Sequence, residues 1–238
     1  MKSLQFYLNE GHTSTYNKQE YMDNPKHEIY KQYAMDYLSV LNTDGQLYNC
    51  IEEAINATNK VFDIFYSNGI SGFLNGQMVG RIIETNLADQ MKSINGFVYS
   101  QGQENSSEKD INCTVMPEDF DIDGIESLPY NYGIELKCSK GKGITGNKSY
   151  AKDINGRKDK ASFYILINYD WPTDLPENND DVTQADLSKE YKFNIKSYKA
   201  YFCYLDKDDW WYGDKGNAAS LKMGILKQKR LLEIKPTI

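Results

Sequence analysis

The stretch "YGIELKCSKGKG", residues 132–143, sets Glu135 and Lys137 two apart inside an apolar run and follows them with lysines and glycines. In an extended strand, successive side chains alternate between the two faces. Ile134, Leu136 and Cys138 then share one face, and Glu135 and Lys137 share the other. The apolar set predicts a strand packed on helices, with the acid and the base pointing into a cleft. The fold and the chemistry both hang on that reading.

Immediately upstream, "MPEDFDIDGIESLPYNYGIELK" (116–137) places Asp119, Asp121 and Asp123 in alternation with Phe120, Ile122 and Ile125. Asp121 precedes Glu135 by 14 residues and Asp123 precedes it by 12. Either spacing predicts a strand that turns through "ESLPYN" and returns beside itself as a hairpin, bringing one aspartate next to Glu135 and Lys137. Asp121, between Phe120 and Ile122, reads best as a strand residue, while Asp123 precedes Gly124 as turn residues do. Two carboxylates converging on one point repel unless a cation sits between them, which suits a hard divalent metal with oxygen ligands. A lysine beside them can stabilise charge on a phosphorane or orient and deprotonate an attacking water. A D-x-D-x-D-G calcium loop is ruled out, because the twelfth position from Asp119 is Tyr130 rather than glutamate.

The rest of the chain supplies the frame. Ile29, Tyr33, Tyr37, Leu38 and Leu41 recur at helical spacing over 26–42, with Gly45 as the expected stop. Leu47, Ile51, Ile55, Val61, Phe62 and Phe65 mark a second helix, and Met78, Ile82, Ile83, Leu87 and Met91 a third. The first 95 residues therefore read as mainly helical. "GFVYSQG", "DFDIDGI", "YGIELKCS", "SFYILINYDW" and "SYKAYFCYLD" then read as strands bounded by Gly, Pro, Asn and Asp. Residues 172–190 form an acidic excursion read as a surface loop, and residues 147–162 an inserted helix or loop. The end, "SLKMGILKQKRLLEIKPTI", fits a short helix or a basic strand equally well. The expectation is one α/β (α+β) domain with a central sheet, residues 1–75 packing as a helical region on a core of 76–238.

Charge is segregated. Between Lys137 and Lys160 eight lysines and arginines stand against two aspartates, although the chain as a whole is −7. This predicts a loop that tracks phosphates, with glycines permitting close backbone approach. A second basic cluster comprises Lys222, Lys227, Lys229, Arg230 and Lys235. Four scattered cysteines without a CxxC pair argue against a zinc site and for free thiols in a reducing cytoplasm. With only two histidines, His12 and His27, triad chemistry is not expected. The aromatics of "DKDDWWYGD" read as packing residues. No window approaches the ~20 apolar residues of a membrane span, and the first residues turn polar too soon for a secretory signal.

An aspartate 12 or 14 residues before E-L-K, after a helical region, resembles the PD-(D/E)xK nuclease superfamily, and type II restriction endonucleases in particular. The resemblance covers roughly residues 76–170. It departs at the first motif, where Pro117 precedes Asp119 by two rather than standing directly before an aspartate. It implies a restriction-endonuclease-like mixed sheet flanked by helices. It further implies Mg2+ held by Asp121 (or Asp123) and Glu135, and water assisted by Lys137. Glu84, in "GRIIETNL", sits where such enzymes place a further metal ligand on a helix. Lys140, Lys142, Asn147, Lys148 and Arg157 become DNA contacts, with double-stranded DNA the partner of a homodimer. The implied activity is site-specific DNA cleavage. The alternatives are a nonspecific repair or phage nuclease of the same fold, or a non-catalytic DNA-binding protein.

Overall fold

The computed structural model describes residues 5–9, 12–15, 17–70, 74–94, 98–101, 110–115, 133–140, 143–147, 161–170, 193–212 and 218–236. Two short strands, β1 (Gln5–Asn9) and β2 (His12–Thr15), pair as a hairpin ahead of the first helix. The N-terminal region is thus not wholly helical: the β-branched alternation of "HTST" is too short to stand out as a strand signal.

Helices α1 (Lys18–Met22), α2 (Lys26–Leu41), α3 (Gln46–Ser67) and α4 (Gly76–Gln90) follow. The junction of α2 and α3 turns on two left-handed residues, Asp44 (φ 52°) and Gly45 (φ 75°). Gly45 therefore starts α3 rather than stopping α2, which already ends at Leu41. The Asn75 side chain caps α4 by accepting from the Met78 amide at 2.9 Å. The helical stripes hold in outline: Tyr37, Leu41, Leu47, Ile51, Ile55, Phe62, Ile83, Leu87 and Met91 are buried. Ile29 and Met78 are exposed instead, and Ala34 and Val79 take the buried positions.

The main sheet is mixed and six-stranded, in the order β11 (Leu232–Glu233), β8 (Tyr198–Leu205), β7 (Ser162–Tyr169), β5 (Ile134–Lys140), β4 (Ile111–Val115), β3 (Val98–Gln101). Only β5 and β7 run parallel, in register from Ile134↔Phe163 to Lys140↔Tyr169; the other pairs are antiparallel. A smaller antiparallel sheet joins β6 (Thr145–Asn147), β10 (Ala218–Leu221) and β9 (Trp210–Tyr212). The C-terminal stretch is both of the forms its sequence allows, a short helix α5 (Met223–Lys229) followed by strand β11.

All eight residues of β7 are buried, as expected of a strand covered on both faces. Phe163, Ile165, Ile167 and Tyr169 enter the core shared with α2, α3 and α4, where Tyr37 packs edge-on to Phe163 at 4.6 Å. Tyr164 and Leu166 enter a second core with Trp210, Ala219, Leu221 and Leu226. The molecule is therefore α+β, a mixed sheet between helices on one side and a small sheet with α5 on the other. Among the described residues no helix is long and apolar enough to cross a membrane.

The C-terminal basic cluster is not a continuous surface patch. Arg230 is fully buried against Asp209, and Lys222 is buried with its ammonium on the Asp208 carbonyl and over the Tyr21 ring at 4.1 Å. Both are consumed by internal charges contributed by the "DKDD" turn, whose position in the fold the sequence does not disclose.

Candidate active site

Strand β5 places its residues as the alternation predicts. Ile134 and Leu136 lie in the helix-side core with Cys138 packed against it. Glu135 is buried, and the Lys137 side chain is 17% exposed. The strand antiparallel to β5 is β4, which lies upstream of the aspartate-rich segment expected to pair with it. Asp119, Asp121 and Asp123 lie outside the described residues. The carboxylate that the structure brings to Glu135 and Lys137 is Asp110, at the entrance to β4.

Among the described residues, β4 pairs with β5 at one position, Ile111 with Ile134. Asp110 Oδ2 accepts from the Leu136 amide at 2.9 Å. Asp110 therefore sits on the edge of β5 that faces β4. Glu84, on α4, comes near the same strand at Cys138, whose backbone is the smallest of the influences on its carboxyl. Helix α4 packs against this strand at Gly80, where a Cβ would stand 3.5 Å from the Cys138 carbonyl oxygen, an ordinary van der Waals contact.

Lys137 ties the cluster together. Its Nζ donates to Glu135 Oε2 at 3.2 Å, to Asp110 Oδ2 at 3.4 Å and to the Leu136 carbonyl at 2.7 Å. Burial alone would lower its pKa, but the charges of Glu135, Asp110 and Glu84 outweigh that and hold it above the ordinary lysine range. Lys137 is therefore an ammonium throughout the physiological range. Burial pushes Glu84 up to about 7; the Lys137 charge opposes this, Asp110 adds to it, and Arg81 lowers it slightly. The Arg81 guanidinium reaches Glu84 Oε2 at 3.9 Å. Cys138 is raised well above the usual thiol range, first by burial and then by Glu84, which keeps it a thiol and no nucleophile.

Glu135 and Lys137 share an ion pair on one strand, and Glu84 approaches that strand from α4. Asp110 is not among the residues the sequence singles out, though it directly precedes the β-branched run "INCTV". Lys140 is exposed at the end of β5, and Asn147 ends β6. Lys142, Lys148 and Arg157 lie outside the described residues. Among the described residues no group of three His, Cys, Asp or Glu side chains is close enough together to hold a metal ion by itself. No family model matches the chain, and no curated protein matches it.

Proposed function

We propose that the protein is a Mg2+-dependent nuclease that hydrolyses phosphodiester bonds of double-stranded DNA, of the PD-(D/E)xK kind and with the site specificity of a type II restriction enzyme. The observation that carries this reading is the convergence of Asp110 and Glu135 on one lysine where β4 and β5 part, with Glu84 on the adjoining helix. The order of elements supports it: a helix bearing Glu84, three antiparallel strands, then a strand parallel to the third.

The donor set fits a hard divalent cation. Its candidate ligands are carboxylate oxygens, which such a cation takes. Burial raises the Glu84 carboxyl to about 7. Asp110 and Glu135 would hold the ion, with Glu84 as a further ligand. When bound, it would supply Lewis acidity at a phosphoryl oxygen.

The chain's own residues do the rest. Lys137, permanently charged, stabilises negative charge as it builds on the phosphoryl oxygens while water attacks phosphorus and the P–O bond to the leaving sugar breaks. It acts as a fixed charge and not as the base. Glu135 and Asp110 orient the ammonium. The lysine-rich stretch after β5 meets the backbone phosphates, and a homodimer would present one site to each strand. Specificity for one sequence rests on the family resemblance alone.

The test is incubation of the protein with supercoiled plasmid and Mg2+, with and without EDTA, beside the Glu135→Ala variant. Discrete fragments, lost with EDTA and with the variant, are expected. A smear would replace site specificity with nonspecific cleavage, and intact DNA that still binds the protein would leave a binding protein with a nuclease-like core. Cleavage undiminished in Glu135→Ala would refute the assigned site.

A further inference from the structure

We propose that the cleft at the end of the sheet between β8 and β11 is a second phosphate-binding site, in which Lys199 and Lys235 hold the backbone of the duplex away from the scissile bond. The inference rests on the nuclease reading and deepens it by saying where the rest of the duplex lies.

The cleft has a volume of about 330 Å3, and its lining includes Tyr48, Lys196, Tyr198, Lys199, Glu233 and Lys235. Lys199 is exposed, and among the described residues its side chain has no hydrogen-bond or ion-pair partner. Lys235 has Glu233 at 3.3 Å, the two side chains being 69% and 39% exposed. Such a pair contributes little, so the ammonium can turn to an arriving phosphate at small cost. Tyr198 adds no negative charge: burial first, and then Tyr48, hold it above the ordinary tyrosine range as a neutral phenol.

The register of the sheet ties this cleft to the proposed site. Lys140, at the end of β5, pairs with Tyr169 of β7, which pairs with Tyr198 of β8. One row back, Ser139, Asn168 and Lys199 stand side by side. Paired residues point to one face of a sheet, and residues two apart on a strand share a face. Lys199 therefore lies on the face that carries Glu135 and Lys137. Neighbouring strands are roughly 4.8 Å apart, which puts β8 roughly 10 Å from β5, with β11 one strand further. A duplex carries one charge per about 1.7 Å of its axis. Laid from Lys140 across the end of the sheet, it presents phosphates both to the cleft and to Lys137.

Lysines that are only solvated make the opposite forecast, because they have no stake in DNA binding. The test uses the full-length protein and compares wild type with two double variants, Lys199→Gln with Lys235→Gln and Lys199→Arg with Lys235→Arg. Lys92→Gln, an exposed lysine outside the cleft, is the control. Affinity for a duplex is measured in EDTA over a range of KCl, and kcat and KM in Mg2+. Each phosphate contact contributes about 0.9 to the slope of log K against log salt, so the double glutamine variant should lower that slope by roughly 1.8 on any duplex sequence. It should raise KM and leave kcat at saturating DNA and the melting temperature unchanged. The double arginine variant and Lys92→Gln should keep the wild-type slope. A slope unchanged in the double glutamine variant, while wild type binds and cleaves, would overturn the cleft and leave the nuclease reading standing. Binding with the lowered slope in that variant, but no cleavage by wild type, would support the cleft and overturn the nuclease reading. Calorimetric titration with inorganic phosphate separates the two sources of the anion. Saturable phosphate binding lost in the double glutamine variant, with no binding of duplex, would overturn DNA as the occupant.

Discussion

Asp206 and Glu84 are two carboxylates of almost equal burial, 17% and 19% exposed, and their surroundings push them in opposite directions. For both, burial is the largest influence and by itself raises the pKa. At Asp206 the Lys26 ammonium lies 3.0 Å away and reverses it, leaving the group below the usual carboxylate range. Around Asp206, Asp208 and Asp209 stand Lys26, Lys222 and Arg230, with Tyr21 donating to Asp209 at 2.5 Å. This cluster matches charge for charge, and it ties α1 and α2 to the C-terminal helix. Around Glu84, the described charges include Asp110, Lys137 and Arg81, and burial outweighs the cations. The first cluster is a cross-brace; the second is where the proposed site lies.

The comparison can be broken at several points. The largest effect should come from cutting the balanced cluster on one side. Arg230→Ala should lower unfolding free energy by about 3–5 kcal/mol, because Asp209 is left buried and uncompensated. Replacing both partners with apolar residues, Arg230→Met with Asp209→Leu, should recover much of the loss in urea titrations. If the single change is harmless, the brace is not structural. At the other cluster, Asp110→Asn or Glu135→Gln should reduce the Mg2+-dependent cleavage rate by about 10²- to 10³-fold, the scale of losing one electrostatic stabiliser, while unfolding stays within about 1 kcal/mol. Equal cleavage by Asp110→Asn and wild type would return the aspartate role to Asp119, Asp121 or Asp123.

Much of this was legible beforehand and some was not. Helices α2, α3 and α4 and strands β5, β7 and β8 announce themselves because their apolar periods are long and are backed by burial on one face or both. Glu135, Lys137 and Glu84 could be read because local alternation and helix position fix where they point. Asp110 could not be ranked, since its role depends on the β4–β5 pairing of Ile111 with Ile134, formed across 23 residues (134 − 111). Arg230 and Lys222 read as surface cations, because a charged residue discloses nothing of a partner such as Asp209 that only the tertiary fold brings to it.

Smaller effects sharpen the contrast through pH. Glu84 is raised from 4.5 to about 7 in the folded chain, so the fold favours its protonated form. Stability tied to that proton is complete below about 4.5 and lost as pH rises to 7. Without divalent cation, Glu84→Gln should match wild type near pH 4 and exceed it at pH 8 by up to roughly 3 kcal/mol. Mg2+ should narrow that gap. Asp206→Asn should show the reverse sign, costing stability at neutral pH and converging on wild type only in acid, below the ordinary carboxylate range. The least effect belongs to a pair outside both clusters: Lys92→Ala, which removes an exposed contact to Asp89 of 2.8 Å, should change stability by less than about 0.5 kcal/mol.

The forked edge of β5 has one more consequence. A sheet edge with free amides is a template for another chain, and self-association through such edges is a standing hazard for β proteins. Here the Leu136 amide is engaged by the Asp110 carboxylate. Asp110 thereby shields one donor of β5, and an Asp110→Ala protein should come out of the cell as aggregate more readily than wild type.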